Sequence, residues 1–137
     1  MDYLFLLIIT NSILVGVILM TQIISYPLLL KVKKSNFSYY YNSYTRRISI
    51  IVVPLMIFEV LFSIAINITF DNAYIAASNI LLFIIWGSTF FVQVPIHNKL
   101  SFGYSSLLIN KLIFTNWIRT IAWICKLIVV INLYMMK

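Results

Sequence analysis

The chain has 137 residues, 63% of them hydrophobic and only 9% charged, with three glycines and three prolines. That balance excludes a soluble domain, and the length leaves room for one compact unit, residues 1–137, and no second one. The net charge of +7 would suit nucleic acid, but the basic residues flank apolar segments, where they meet phospholipid headgroups, so membrane lipids and no nucleic acid are the expected partners.

The first span runs from about Tyr3 to Leu30, long enough to cross a bilayer with some tilt. Asp2 stands where a secretory signal wants basic residues, and no small-residue cleavage pattern follows Met20, so the segment reads as a retained helix. Asn11, Gln22, Ser25 and Tyr26 share a sector of its wheel, and Pro27 is placed to kink or end it. Between Lys31 and Arg47, basic residues bracket Phe37, Tyr40, Tyr41 and Tyr44. This is the pattern of a short interfacial helix, with an aromatic lid over a pocket as the other reading.

The second span, 48–69, carries Glu59 near its middle, with Ser63 and Asn67 following on the same side. Phe70, Asp71 and Asn72 form a tight turn into the third span, 73–94, so the two are expected to be antiparallel neighbours. Trp86, Thr89, Gln93 and His97 fall on one narrow polar face, His97 only if Pro95 kinks the helix and does not end it. Tyr104, Leu107, Leu108, Lys111 and Leu112 then repeat with helical period, a second interfacial helix. The fourth span, 116–136, starts at Asn116 as N-cap and carries Arg119, Trp123, Lys126 and Tyr134 in one stripe.

The expected fold is an all-α integral membrane protein, an up-down bundle of four transmembrane helices with two short interfacial helices on the cytoplasmic side. Lys31, Lys33, Lys34, Arg46, Arg47, Lys99 and Lys111 lie in the first and third connections, whereas the second holds only Asp71. The positive-inside rule then puts both termini outside the cytoplasm of a bacterial inner membrane.

Each span carries a polar stripe, and a polar stripe facing lipid is unfavourable, so the four should converge on the bundle axis. Glu59 and Lys126 lie at similar depth, roughly 14 to 17 Å in at about 1.5 Å per residue, and can pair as a structural bridge or serve function. Gln22, Tyr26, Gln93, His97, Asn116, Arg119 and Thr120 form the densest polar cluster. There Arg119 offers a planar fork for a carboxylate, phosphate or enolate, and His97 exchanges protons near neutral pH. The plainer readings are snorkelling for Arg119 and a helix end for His97. One histidine excludes bis-histidine haem, no cysteine cluster indicates zinc, and no phosphate loop or Ser-His-Asp pattern occurs; no cofactor or metal is expected.

Tyr26-Pro27, Y-x-R-R-I from Tyr44 to Ile48, P-L-M-x-x-E from Pro54 to Glu59, W-x-S-T-F-F-x-Q-V-P-x-H-N-x-L from Trp86 to Leu100 and N-W-I-R-T from Asn116 to Thr120 together resemble small bacterial four-helix membrane proteins. That group is distantly similar to the anthrone oxygenase-like family. The resemblance implies cofactor-free oxidation of a polycyclic phenolic substrate, with His97, Asn98, Asn116 and Arg119 on comparable motif positions and His97 or Glu59 as base.

The expected function is binding of a lipophilic small molecule in a polar intramembrane pocket, with oxidoreductase or oxygenase-like activity left open. Arg119 would hold the head of the molecule, Gln22, Tyr26, Gln93, Asn98, Asn116 and Lys126 would complete the polar lining, and Trp86 and Trp123 would wall it, with Glu59 and His97 as catalytic candidates. The alternatives are a membrane subunit or assembly factor docking a partner membrane protein, a homo-oligomer, and a dimeric proton-coupled transporter.

Overall fold

Asp2 opens the first helix: its carboxylate accepts the Phe5 amide at 3.3 Å and satisfies one of the amides that lack an intrahelical partner. A computed structural model describes residues 2–137. Among them, four helices are long and apolar enough to cross a membrane: α1 Tyr3–Leu29, α2 Lys34–Thr69, α3 Ala73–Leu100 and α4 Ser106–Met135. No strand occurs among the described residues.

Helices α2 and α4 begin earlier than the apolar spans do. The stretch expected as a first interfacial helix is instead the start of α2, a 3-10 turn Lys34–Asn36 leading into unbroken α-helix Phe37–Thr69. No glycine or proline interrupts the chain there before Pro54, and the Thr45 and Ser49 hydroxyls donate to the carbonyls of Tyr41 and Thr45 at 3.0 and 2.7 Å. The second interfacial helix is likewise the first turns of α4. Ser105 is its N-cap, accepting the Leu108 amide at 3.3 Å, and Asn116, expected in that role, lies buried in mid-helix.

Pro27 and Pro95 end neither helix. In α1 a wide π-type turn, Thr21–Ser25, precedes Tyr26-Pro27, and in α3 a matching turn, Thr89–Gln93, precedes Val94-Pro95. Proline has no amide hydrogen and pushes away the carbonyl four residues back, and the wide turn absorbs the mismatch. The Thr21 and Thr89 hydroxyls donate to the Val17 and Ile85 carbonyls at 2.8 and 2.7 Å, so the two turns share their chemistry as well as their shape.

Three apolar layers stack along the bundle. One joins Leu4 and Leu7 to Ile66, Ile75, Val130 and Leu133; the next joins Leu14 and Ile18 to Met56, Ile85, Ala122 and Trp123. The third contains Tyr26, Leu29, Phe37, Tyr41, Ile96, Leu100, Ile109 and Leu112. Residue numbers rise from layer to layer in α1 and α3 and fall in α2 and α4. Helix α4 packs closely on both α1 and α3, and α1 packs on α2, but α2 and α3 barely touch despite their short connection. The Asn67 and Asn79 side chains exchange hydrogen bonds at 2.8 and 3.2 Å near that connection, and Asn42 Nδ2 donates to the Ser101 carbonyl at 3.1 Å at the far end.

Candidate functional site

Two polar clusters occupy the interior. Deeper towards the termini, Lys126 Nζ donates to Glu59 Oε1 at 2.8 Å and to Ser63 Oγ at 3.3 Å, while Trp123 Nε1 reaches the two Glu59 oxygens at 3.1 and 3.3 Å. Glu59 and Lys126 are fully buried. Opposite charges and an indole donor satisfy each other there, so the group is electrically closed.

The second cluster lies towards the basic connections and is built around Arg119. Gln22 Nε2 donates to the Ile113 carbonyl at 3.0 Å, and its Oε1 accepts from Asn116 Nδ2 at 2.7 Å. That orients the Asn116 oxygen to accept from Arg119 Nε and Nη2 at 3.0 and 2.6 Å, while Arg119 Nη1 donates to Thr89 Oγ1 at 3.3 Å. Three of the five guanidinium N–H groups are thereby engaged and the Tyr26 hydroxyl also stands beside the guanidinium, so at most one N–H on each terminal nitrogen is left for an anion. The guanidinium lies 5.8 Å from the centroid of the Trp123 ring, whose N–H serves the other cluster.

Arg119 lines a cavity of about 500 Å³ shared by all four helices. Tyr26, Tyr44, Gln93, His97, Asn98 and Trp123 also line it, with Val52, Val53 and Met56 of α2 as an apolar wall. His97 stands between two phenols: Nε2 faces the Tyr26 hydroxyl at 3.2 Å, and Nδ1 is hydrogen-bonded to Tyr41, whose ring stacks on the imidazole. A neutral imidazole has one donor and one acceptor nitrogen, so one tyrosine donates to it and the other accepts and keeps its own proton to offer elsewhere. Two buried cavity-lining atoms have no hydrogen-bond partner among the described residues, the Tyr44 hydroxyl and Gln93 Oε1; Gln93 is 1% exposed, and its amide nitrogen donates to Thr115 Oγ1 at 3.0 Å.

Of the residues expected at the site, Tyr26, Gln93, His97, Asn98, Arg119 and Trp123 line the cavity, and Gln22 and Asn116 support Arg119 from behind. Glu59 and Lys126 lie outside its lining, in the closed cluster, and Trp86 borders a smaller hollow of about 240 Å³ with Val60 and Phe83. Trp86 lies before the π-type turn and His97 after it, and the wide turn breaks the ideal spacing that would put the two on one face.

From the sequence, Tyr41 and Tyr44 read as interfacial anchors, with an aromatic lid over a pocket as the other reading. Their signal is the run Phe37, Tyr41, Tyr44, Ile48, which keeps helical spacing into the apolar span and marks one face of a single helix. Among the described residues, no three His, Cys, Asp or Glu side chains gather in a group suited to a metal ion. Comparison with protein-family models, curated proteins and solved structures yields no match.

Proposed function

We propose that this multi-pass chain is an up-and-down bundle whose cavity binds a lipophilic small molecule through an anionic head, with Arg119 as the group that holds it. The observation that carries this reading is charge. The sequence has three carboxylate side chains. Asp2 pairs with Lys137, Glu59 with Lys126, and Asp71 lies in the connection between α2 and α3 at the opposite end of the bundle. Arg119, 7% exposed, has no carboxylate partner among the described residues. A desolvated cation is costly alone, and an anion in the cavity offsets that cost with two charge-assisted hydrogen bonds.

Tyr44 offers a further hydroxyl donor, and Gln93 Oε1 an acceptor for a hydroxyl or N–H next to the charged group. Lys31, Lys33, Lys34, Arg46, Arg47, Lys99 and Lys111, in the connection between α1 and α2 or in the helix ends at that side of the bundle, favour a cytoplasmic position for the cavity end and an external one for both termini, in a bacterial inner membrane. The arrangement of His97 between Tyr26 and Tyr41 favours, as a second reading, proton transfer at the bound head, the part of an oxidoreductase or oxygenase-like activity that these residues can perform without a cofactor.

The test is mass spectrometry of small molecules that co-purify with the detergent-solubilised chain and with Arg119→Gln. An organic anion retained by the native chain and lost from the variant is the expected result. Equal retention by both, or no retained anion in either, overturns the reading.

A further inference from the structure

We infer that the molecule held at Arg119 is a single-chain anionic lipid that enters the cavity sideways from the bilayer, through a slot between α2 and α3. The inference rests on the reading that Arg119 receives an anionic head, and adds the class of ligand and its route.

Two observations define the slot. Helices α2 and α3 are tied by hydrogen bonds near their ends, Asn67 with Asn79 and Asn42 with Ser101, and barely meet along their length. Between these ties, Val53 of α2 and Val94 of α3 both line the cavity and are nevertheless 50% and 38% exposed. A residue that faces the cavity and the outside at once belongs to the rim of an opening. That opening is on the side of the bundle, where a bilayer would lie against it.

Phe37, Tyr41, Leu100, Ile109 and Leu112, each fully buried, fill the bundle axis at the end nearer the basic residues. The lining reaches that end only along α2 and α3, through the exposed Asn42 and Asn98 and through Ser101, so the opening there continues the slot between these two helices.

The lining is graded in the way an amphiphile needs. Asn42, Thr45 and Asn98 edge it towards the basic connections, and Val52, Val53 and Met56 continue it towards the bundle centre. An anionic lipid therefore finds polar contacts where its head leaves the headgroup layer and apolar ones for its chain, with Arg119 beyond. A cavity of about 500 Å³ is the size that holds one small ligand, so it accommodates a compact head and part of one chain, the remainder leaving through the slot.

The experiment uses the full chain in phosphatidylcholine vesicles containing photoreactive palmitate or photoreactive lysophosphatidate, with hexanoate and inorganic phosphate as soluble competitors. The readout is the rate and position of cross-linking. Cavity residues should be labelled by one of the two lipids, carboxylate or phosphate, with little competition from the soluble anions. The paired substitution Val53→Trp and Val94→Trp narrows the slot and should slow labelling about tenfold, while Val53→Ala with Val94→Ala should accelerate it. Both sites lie on the rim, partly exposed, and the alanine pair keeps the test decisive where the tryptophan pair disturbs folding. Loading at the native rate in both pairs overturns lateral entry and leaves the role of Arg119 standing. Displacement of the lipids by equal concentrations of hexanoate or phosphate overturns the lipid class. Unchanged labelling in Arg119→Gln overturns the reading beneath both.

Discussion

The Glu59–Lys126 cluster and the Arg119–His97 cluster are neighbours joined by one side chain, Trp123, yet they are built on opposite principles. In the first, a buried cation and a buried anion meet at 2.8 Å with an indole and a hydroxyl completing the set, and neither charged residue reaches the cavity. In the second, a buried cation is positioned by neutral amides and a hydroxyl and is left facing a cavity with donors to spare. The closed cluster satisfies its own charges as folded, whereas the open one leaves a cation facing a cavity; on the reading proposed above, that asymmetry separates a structural charge from a functional one.

The largest effect that tests the contrast is at Lys126. Lys126→Met leaves the Glu59 carboxylate buried without its counter-ion and should lower unfolding stability in detergent by about 3–5 kcal/mol. Adding Glu59→Leu should recover most of it, because an apolar pair replaces an ionic one of similar volume. Failure of the double substitution to recover stability would mean that the pair contributes more than mutual neutralisation.

Arg119→Gln should behave in the opposite way. No carboxylate is orphaned and a desolvation penalty is removed, so unfolding of the ligand-free chain should change by less than about 1.5 kcal/mol, while ligand retention collapses. A loss as large as that of Lys126→Met would place Arg119 with the structural charges.

The smallest effect is at the exposed pair of Asp2 with Lys137, 2.9 Å apart, which acts as the aqueous control for the buried one. The Lys137 ammonium holds the Asp2 carboxyl below its ordinary value. The pair therefore contributes above the ordinary carboxylate range, and the contribution is lost as pH falls through the lowered value. Both side chains are solvated, so Asp2→Asn should leave the thermal midpoint at neutral pH unchanged within error.

Much of the molecule was legible beforehand because hydrophobic length and helical period are local properties. Four apolar runs define four helices, and equal depth along two helices that run in the same direction pairs Glu59 with Lys126; the neighbour packing of α2 and α3 expected from the tight turn at 70–72 is not what forms, since the two barely touch. The helix starts were not legible in the same way. Amphipathic composition at 31–47 and 103–115 fits an interfacial helix and the solvated first turns of a long one equally well, and only continuity of backbone hydrogen bonding distinguishes them.

Composition and helical period were enough for an all-helical chain, for four helices long and apolar enough to cross a membrane and for the polar stripe on each, because these are local properties of the chain. Which of those polar groups satisfy one another follows from the packing of the four helices. That packing set Tyr26 and Tyr41 on either side of His97, with Trp86 taken off that face by the π-type turn, and parted α2 from α3 so that Arg119 faces a cavity and no carboxylate. Periodicity gives the direction of a side chain about its own axis, whereas partnership depends on how far apart four axes settle, and that is the outcome of packing all of them at once.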